Sequence, residues 1–252
     1  MKHPVLNPDE QTAVLITGAS GGIGRALLEE LLKSPNLHCL ATSRTGNAPE
    51  GWESHSRVHW VRWDALDPSS FATVGDACRT LEQPIRLVVN ALGFLHEGAE
   101  QPEKRLQDLD YHQLLKSFAV NAMGPSLIAR EMLPLMPRKG PTIFASLSAR
   151  VGSIGDNRLG GWYGYRASKA ALNQFQKTLS IEWKRRNRDA LVVSLHPGTV
   201  DTGLSAPFQR NVPEGKLFER ERAATQLIAV LEGLTPEDTG GHFAWDGTTI
   251  PW

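Results

Sequence analysis

Short apolar runs alternate along this chain with longer segments whose apolar positions recur at helical spacing. Ala13-Val14-Leu15-Ile16 runs into a cluster of glycines, and the segment 23–32 that follows carries Leu27, Leu28, Leu31 and Leu32 on one helical face. The same order then repeats. Runs at 37–42, 58–61, 85–90, 142–146, 190–195 and 242–245 predict strands. Segments at 68–81, 104–118, 122–135, 165–186 and 219–232 predict helices, with Pro134 and Pro137 closing the third of them. Within 165–186, Leu172, Phe175, Leu179 and Trp183 stand three and four residues apart and form one apolar stripe, suited to core or subunit contact.

Strands that alternate with helices imply parallel βαβ units, and right-handed crossovers wind such units into a doubly wound sheet. The expected fold is therefore α/β: a single-domain, Rossmann-like parallel sheet over residues 1–252 with helices on both faces. Such sheets bind ligands at the carboxyl ends of their strands. The loops after Ile16, Thr42, Asn90, Ser146 and Leu195 should then share one rim.

Charge narrows the partners. Lys plus Arg and Asp plus Glu each number 27, so a net charge of zero gives no electrostatic ground for nucleic acid or an anionic membrane. The polar start, 1–12, has Pro4 and Pro8 and no signal-peptide core, and no later run reaches membrane-spanning length. A cytoplasmic location without a membrane partner is expected. Cys39 and Cys78 lack metal or redox spacing and the eight histidines lack the paired helical spacing of zinc sites, so no metal is expected.

The glycine cluster Thr17-Gly18-Ala19-Ser20-Gly21-Gly22-Ile23-Gly24 falls between the first strand and the first helix. In that context glycines let backbone approach a pyrophosphate, and the helix N-terminus offers free N–H groups and a partial positive charge. Gly18, Ser20, Gly22, Ile23 and Gly24 are the candidate cofactor-binding positions. About twenty residues on, such sites place an acid on a ribose 2′-hydroxyl, or a cation where the ribose carries a phosphate. Here the second strand ends Ala41-Thr42-Ser43-Arg44 with no acid. Arg44 suits a 2′-phosphate as a bidentate fork and Ser43 can add a hydrogen bond, so NADP is expected rather than NAD.

Trp162-Tyr163-Gly164-Tyr165-Arg166-Ala167-Ser168-Lys169 sets Tyr165 and Lys169 four residues apart, on one face at the start of a helix. An unperturbed phenol titrates near pH ~10, but an adjacent ammonium favours the phenolate and lowers that value. The pair then becomes useful for acid–base work near neutral pH.

Together with the glycine loop, the chain from residue 17 to about residue 202 resembles the short-chain dehydrogenase/reductase family. The matching pieces are Thr17-Gly18 with Gly22-Ile23-Gly24, Asp64, Asn90-Ala91-Leu92-Gly93, Asn121, Tyr165 with Lys169, and Pro197-Gly198-Thr199-Val200-Asp201-Thr202. Leu147-Ser148-Ala149-Arg150-Val151-Gly152-Ser153-Ile154, Gly160-Gly161-Trp162 and Trp245-Asp246-Gly247 are similar to its C-factor-like and sniffer-like reductases.

The resemblance implies roles. Asp64 would contact the adenine, Asn90 would lie near the adenosine ribose, and Thr202 would sit by the nicotinamide and pyrophosphate, with Gly93, Pro197, Gly198 and Val200 also at the cofactor. Tyr165 would give or take the proton, Lys169 would hold the nicotinamide ribose and tune Tyr165, and Asn121 would anchor a relay water. A serine would hydrogen-bond the substrate oxygen, where charge develops during hydride transfer. A homodimer or homotetramer joined through 104–135 and 165–186 is also implied.

Two departures matter. Asn90-Ala91-Leu92-Gly93 stands where the family has Asn-Asn-Ala-Gly, and Gly152 stands thirteen residues before Tyr165, where the family has its serine. That leaves Ser146 and Ser148. Ser148 is the expected catalytic residue because it lies further toward the carboxyl end of its strand, with Ser146 buried and bonded to backbone. His196 is read as strand-end packing, Trp183 as core and Trp162 as a wall of the substrate pocket, with 155–161 and 204–216 as its rim.

The function expected is NADPH-dependent reduction of a small carbonyl compound, or oxidation of an alcohol in reverse, by Ser148, Tyr165, Lys169 and Asn121. The alternative is an NADP-binding regulatory or signalling protein with little turnover, against which the retention of Tyr165, Lys169 and Asn121 argues. A nucleotide-sugar epimerase needs a larger C-terminal domain than the fifty residues after Thr202 supply.

Overall fold

The computed structural model describes residues 3–98 and 100–252. The apolar runs become β1 (Thr12–Thr17), β2 (Leu37–Ser43), β3 (Val58–Arg62), β4 (Ile85–Asn90), β5 (Thr142–Leu147) and β6 (Ala190–His196). Two-residue strands β7 (Thr199–Val200) and β8 (Leu217–Phe218) follow, and β9 (His242–Ala244) completes the set. Seven of these form one parallel sheet in the order β3-β2-β1-β4-β5-β6-β9, while β7 and β8 pair separately. The order reverses between β1 and β4, which sets a crevice at their carboxyl ends.

The helices are α1 (Gly22–Leu31), α2 (Ser70–Arg79), α3 (Tyr111–Phe118), α4 (Gly124–Met132), α5 (Tyr163–Arg186) and α6 (Arg220–Gly233). All six residues of β1 are buried because each face of the sheet has its own cover. Val14 and Ile16 pack with Leu27, Leu28 and Leu31 of α1 and Leu227 of α6. Ala13 and Leu15 pack instead with Phe71 of α2, Ile128 and Met132 of α4 and Trp183 of α5. Trp183 is core, as expected, whereas Phe175 of the same stripe is half exposed.

The predicted helix 104–118 is shorter in the structure. Asp108 accepts from the Arg105 and Lys104 N–H groups and closes a 3₁₀ turn at Leu106–Asp108, and Asp110 caps α3 by accepting from the Gln113 N–H at 2.9 Å. From Ala119 to Met123 the chain is π-helical, so α3 passes into α4 without a break. The helix predicted from 165 starts two residues earlier, at Tyr163.

Candidate active site

A cavity of about 780 Å³ opens in the crevice at the carboxyl ends of the strands. Its wall contains Gly18, Ser20, Gly22 and Ile23 of the glycine loop, Arg44 after β2, and Gly93 after β4. Ser148 after β5, Tyr165 and Lys169 of α5, and Pro197, Gly198, Val200 and Thr202 after β6 line it too. Its volume suits a cofactor together with a small ligand.

The glycine loop is built for close approach. Gly18 has φ 72° and donates its N–H to Thr42 Oγ1 at 3.1 Å. A Cβ on Gly24 would lie 2.2 Å from the Gly18 carbonyl oxygen, so that position serves the packing of loop on helix and stays out of the cavity wall. Gly21 precedes α1 without a capping side chain, which leaves the first N–H groups of the helix for a ligand. Thr202 lies over the loop, its Cγ2 3.0 Å from where a Gly22 Cβ would stand. A pyrophosphate fits this cradle.

Arg44 is exposed in the cavity wall. Ser43 is not part of that wall. Its hydroxyl is turned away to donate to the Asn47 carbonyl at 2.9 Å, and it is buried by the turn that bond closes. Asp64 lies outside the wall as well, its carboxylate accepting from the Leu66 N–H at 2.9 Å. Asn90 is 1% exposed and spans the strand tips: its Oδ1 accepts from Thr17 Oγ1 and its Nδ2 donates to Ser146 Oγ, each at 3.0 Å. The side chain expected near a ribose thus stitches β1, β4 and β5.

Ser146 is fully buried and bonded to that Asn90 side chain rather than to backbone. Ser148 is in the cavity wall, and its hydroxyl donates to Asn173 Oδ1 at 2.7 Å. Ala149 and Arg150 follow it along the same wall.

Lys169 is 2% exposed. Its Nζ donates to the Leu147 carbonyl at 2.8 Å and the Leu92 carbonyl at 3.5 Å, and lies 5.8 Å from the centre of the Tyr165 ring. Burial decides the titration of both groups, pushing Tyr165 up to about 12 and Lys169 down to about 7. The lowering of the phenol expected from an adjacent ammonium is not found; burial alone sets the direction of the Tyr165 shift.

Asn121 lies in the π-helical turn with no exposure. Its amide accepts from the Phe94 N–H, donates to the Phe94 carbonyl at 2.8 Å and donates to Ser168 Oγ at 3.0 Å. Ser168 in turn donates to the Tyr165 carbonyl at 3.0 Å. The asparagine thereby ties the loop after β4 to the first turn of α5.

The substrate end differs from expectation in part. Leu204, Ser205 and Phe208 line the cavity, as does Trp162, but 155–161 lie outside its wall; Gly155 instead donates to the Trp252 carbonyl at 2.8 Å. His196 lines the cavity rather than merely closing a strand, and burial, Arg150 and His242 hold it down to about 3. Glu103, 2% exposed beside the start of α5, carried no sequence signal. Cys39 and Cys78 are buried free thiols, and no helix among the described residues is long and apolar enough to cross a membrane.

Comparison with known proteins shows the family and the fold. The chain is 34% identical to C-signal of Myxococcus xanthus over 147 residues, 58% of this chain and 83% of that protein. Its fold matches the carbonyl reductase Sniffer of D. melanogaster with a TM-score of 0.80 at 24% identity, covering 96% of this chain and 100% of that one. It also matches an NADPH-bound carbonyl reductase from chicken fatty liver with a TM-score of 0.81 at 23% identity, covering 98% and 96%. The short chain dehydrogenase family matches residues 12–213, and with this cradle and this Tyr165–Lys169 pair in one cavity the chain belongs to that family of oxidoreductases.

Proposed function

We propose that this protein reduces a small carbonyl compound with NADPH and oxidises the matching alcohol in reverse. The observation that carries the reading is that one cavity has the glycine loop, Arg44, Tyr165 and Lys169 in its wall. Bound there, the nicotinamide supplies hydride in reduction and accepts it in oxidation. The N–H groups at the start of α1 hold the pyrophosphate, with Gly18, Ser20, Gly22 and Ile23 around it. Gly93, Pro197, Gly198, Val200 and Thr202 wall the nicotinamide end. Arg44 takes the 2′-phosphate. The chicken carbonyl reductase of the same fold binds NADPH, in keeping with an arginine rather than an acid after β2.

Tyr165 gives its phenol proton to the substrate oxygen and recovers it in the reverse direction. Lys169 favours the phenolate that this leaves. Ser148 donates to the substrate oxygen as negative charge grows on it, while Asn121, expected to anchor a relay water, has its side chain committed to Phe94 and Ser168 and acts by positioning the loop after β4 against α5. The cytoplasm is the proposed setting, where Cys39 and Cys78 stay reduced. A homodimer or homotetramer across the faces of α3 to α5 belongs to the same proposal, since Leu115, Met123, Phe175 and Ile181 expose apolar side chains there.

The test is NADPH consumption with a panel of aldehydes, ketones and quinones. Turnover of at least one carbonyl that disappears in Tyr165→Phe supports the reading. No consumption across the panel, or full activity in Tyr165→Phe, overturns it.

A further inference from the structure

Residues 160–162 form a left-handed turn immediately before α5. Gly160 and Gly161 have φ 64°, and Trp162 follows with φ 53° and ψ 46°. Glycine takes this region freely, but Trp162 is the one non-glycine residue with positive φ among the described residues. A bulky side chain resists that conformation, so the surrounding structure must impose it.

Arg166 and Glu103 do so. The Arg166 guanidinium donates to the Gly161 carbonyl at 2.9 Å, to the Gly160 carbonyl at 3.0 and 3.2 Å, and to the Val151 carbonyl at 3.3 Å. Glu103 receives the Gly164 N–H on its carboxylate at 3.1 Å and the Trp162 N–H on its backbone carbonyl. A Cβ on Gly164 would lie 2.8 Å from Glu103 Oε1, so the carboxylate fits there only against a glycine.

What the turn achieves is the placement of an indole. Trp162 lines the cavity with its ring centre 6.2 Å from that of Tyr165 and 5.0 Å from that of Phe208, edge to face in both cases. Phe208 lines the same cavity and meets His96 at 5.6 Å. A carbonyl held at the Tyr165 hydroxyl brings its own substituent against this aromatic wall. A flat ring on the carbonyl carbon gains an edge or offset contact there beyond its burial, and a small alkyl group does not.

We propose that Trp162 is a specificity-determining residue of this site, held by Arg166 and Glu103 as positioning residues, and selects carbonyl compounds with an aromatic group beside the carbonyl carbon. The inference rests on the carbonyl-reduction reading of the same cavity.

A matched pair of diones tests it: 1-phenylpropane-1,2-dione and butane-2,3-dione differ by phenyl for methyl. With NADPH, the unsubstituted protein is expected to favour the phenyl compound in kcat/KM by on the order of tenfold, chiefly through KM. Trp162→Leu should lose that ratio and Trp162→Phe should keep most of it. Trp162→Gly, which removes the indole yet suits the left-handed backbone, should lose the ratio with no fall in thermal midpoint, which separates specificity from misfolding. Arg166→Ala should lower the ratio and Arg166→Lys should restore part of it. Equal activity on both diones in the unsubstituted protein overturns the inference while the reduction reading stands. A ratio unchanged in Trp162→Gly, or an Arg166→Ala protein that slows both diones equally, overturns the assigned roles. NADPH consumption with neither dione, nor with any other carbonyl, overturns the reduction reading and this inference with it.

Discussion

Ser148 and Asn173 join the end of β5 to the face of α5 that carries Tyr165 and Lys169: the serine hydroxyl donates to the asparagine Oδ1 at 2.7 Å. Asn173 Nδ2 is buried with no partner among the described residues. A half-turn of the carboxamide would make Nδ2 the donor to Ser148 Oγ and release the serine proton toward the cavity. The bond therefore holds the serine oxygen in place at the cavity wall, and the direction of its proton depends on the amide.

Ser148→Ala and Ser146→Ala are expected to fail differently. Losing a donor to the substrate oxygen should cost Ser148→Ala about 10²-fold or more in kcat with little change in thermal midpoint. Ser146→Ala leaves the buried Asn90 Nδ2 without its acceptor and should cost roughly 1–3 kcal/mol of stability at nearly full rate. Rates and midpoints of the two variants decide it, and a rate collapse confined to Ser146→Ala reverses the assignment.

Arg44→Ala should erase most of a preference for NADPH over NADH. Arg44 reaches the cavity alone, because Ser43 is committed to Asn47. Fluorescence titration of both cofactors checks this, and equal affinity in the unsubstituted protein contradicts it.

Tyr165→Phe should remove turnover and spare cofactor binding, whereas Lys169→Ala should damage both. With Lys169 held down to about 7 by burial, its ammonium is lost as pH rises through that value, and carbonyl reduction should decline over the same range. A rate–pH profile that stays flat from acid to well above neutrality in the unsubstituted protein rules this out.

His196 and His242 predict an acid limit to stability. Burial holds them down to about 3 and about 4, with Arg150 adding to both, so between those values and the ordinary 6.5 the unfolded chain binds protons that the folded chain refuses. Stability should be complete above about 6.5 and fall as pH drops toward 4. Denaturant midpoints of the unsubstituted protein and His242→Asn across this window test it. The variant should show the shallower loss.

Much of this architecture was legible in the chain, because a strand buried on both faces must be apolar throughout and a helix above it must repeat every third or fourth residue. The glycine loop, the Tyr165–Lys169 spacing and the residues from Pro197 to Thr202 fell where that alternation put them. Side-chain direction was not legible. Ser43 and Asn90 occupy the expected loop and strand end, but local carbonyls and neighbouring strand tips claim their polar atoms. The helix read from 104 begins only after Asp110, a capping signal that the apolar periodicity of Leu106 and Leu109 masked; both prove exposed. Nor does spacing announce a left-handed tryptophan or the glutamate beside it.

The π-helical turn at Ala119–Met123 works as a phase shifter. It places α3 and α4 out of step on one continuous axis, and that offset lets Asn121 meet the loop after β4 on one side and Ser168 on the other. Each residue of an ordinary helix advances about 100°. Because the wide turn takes up one extra residue, removing Ala119 would restore regular hydrogen bonding and leave Ile128 and Met132 on the sheet, while Asn121 would lose the widened turn from which it reaches both partners. Loss of one residue here should therefore spare the core and undo the tie between the loop after β4 and α5.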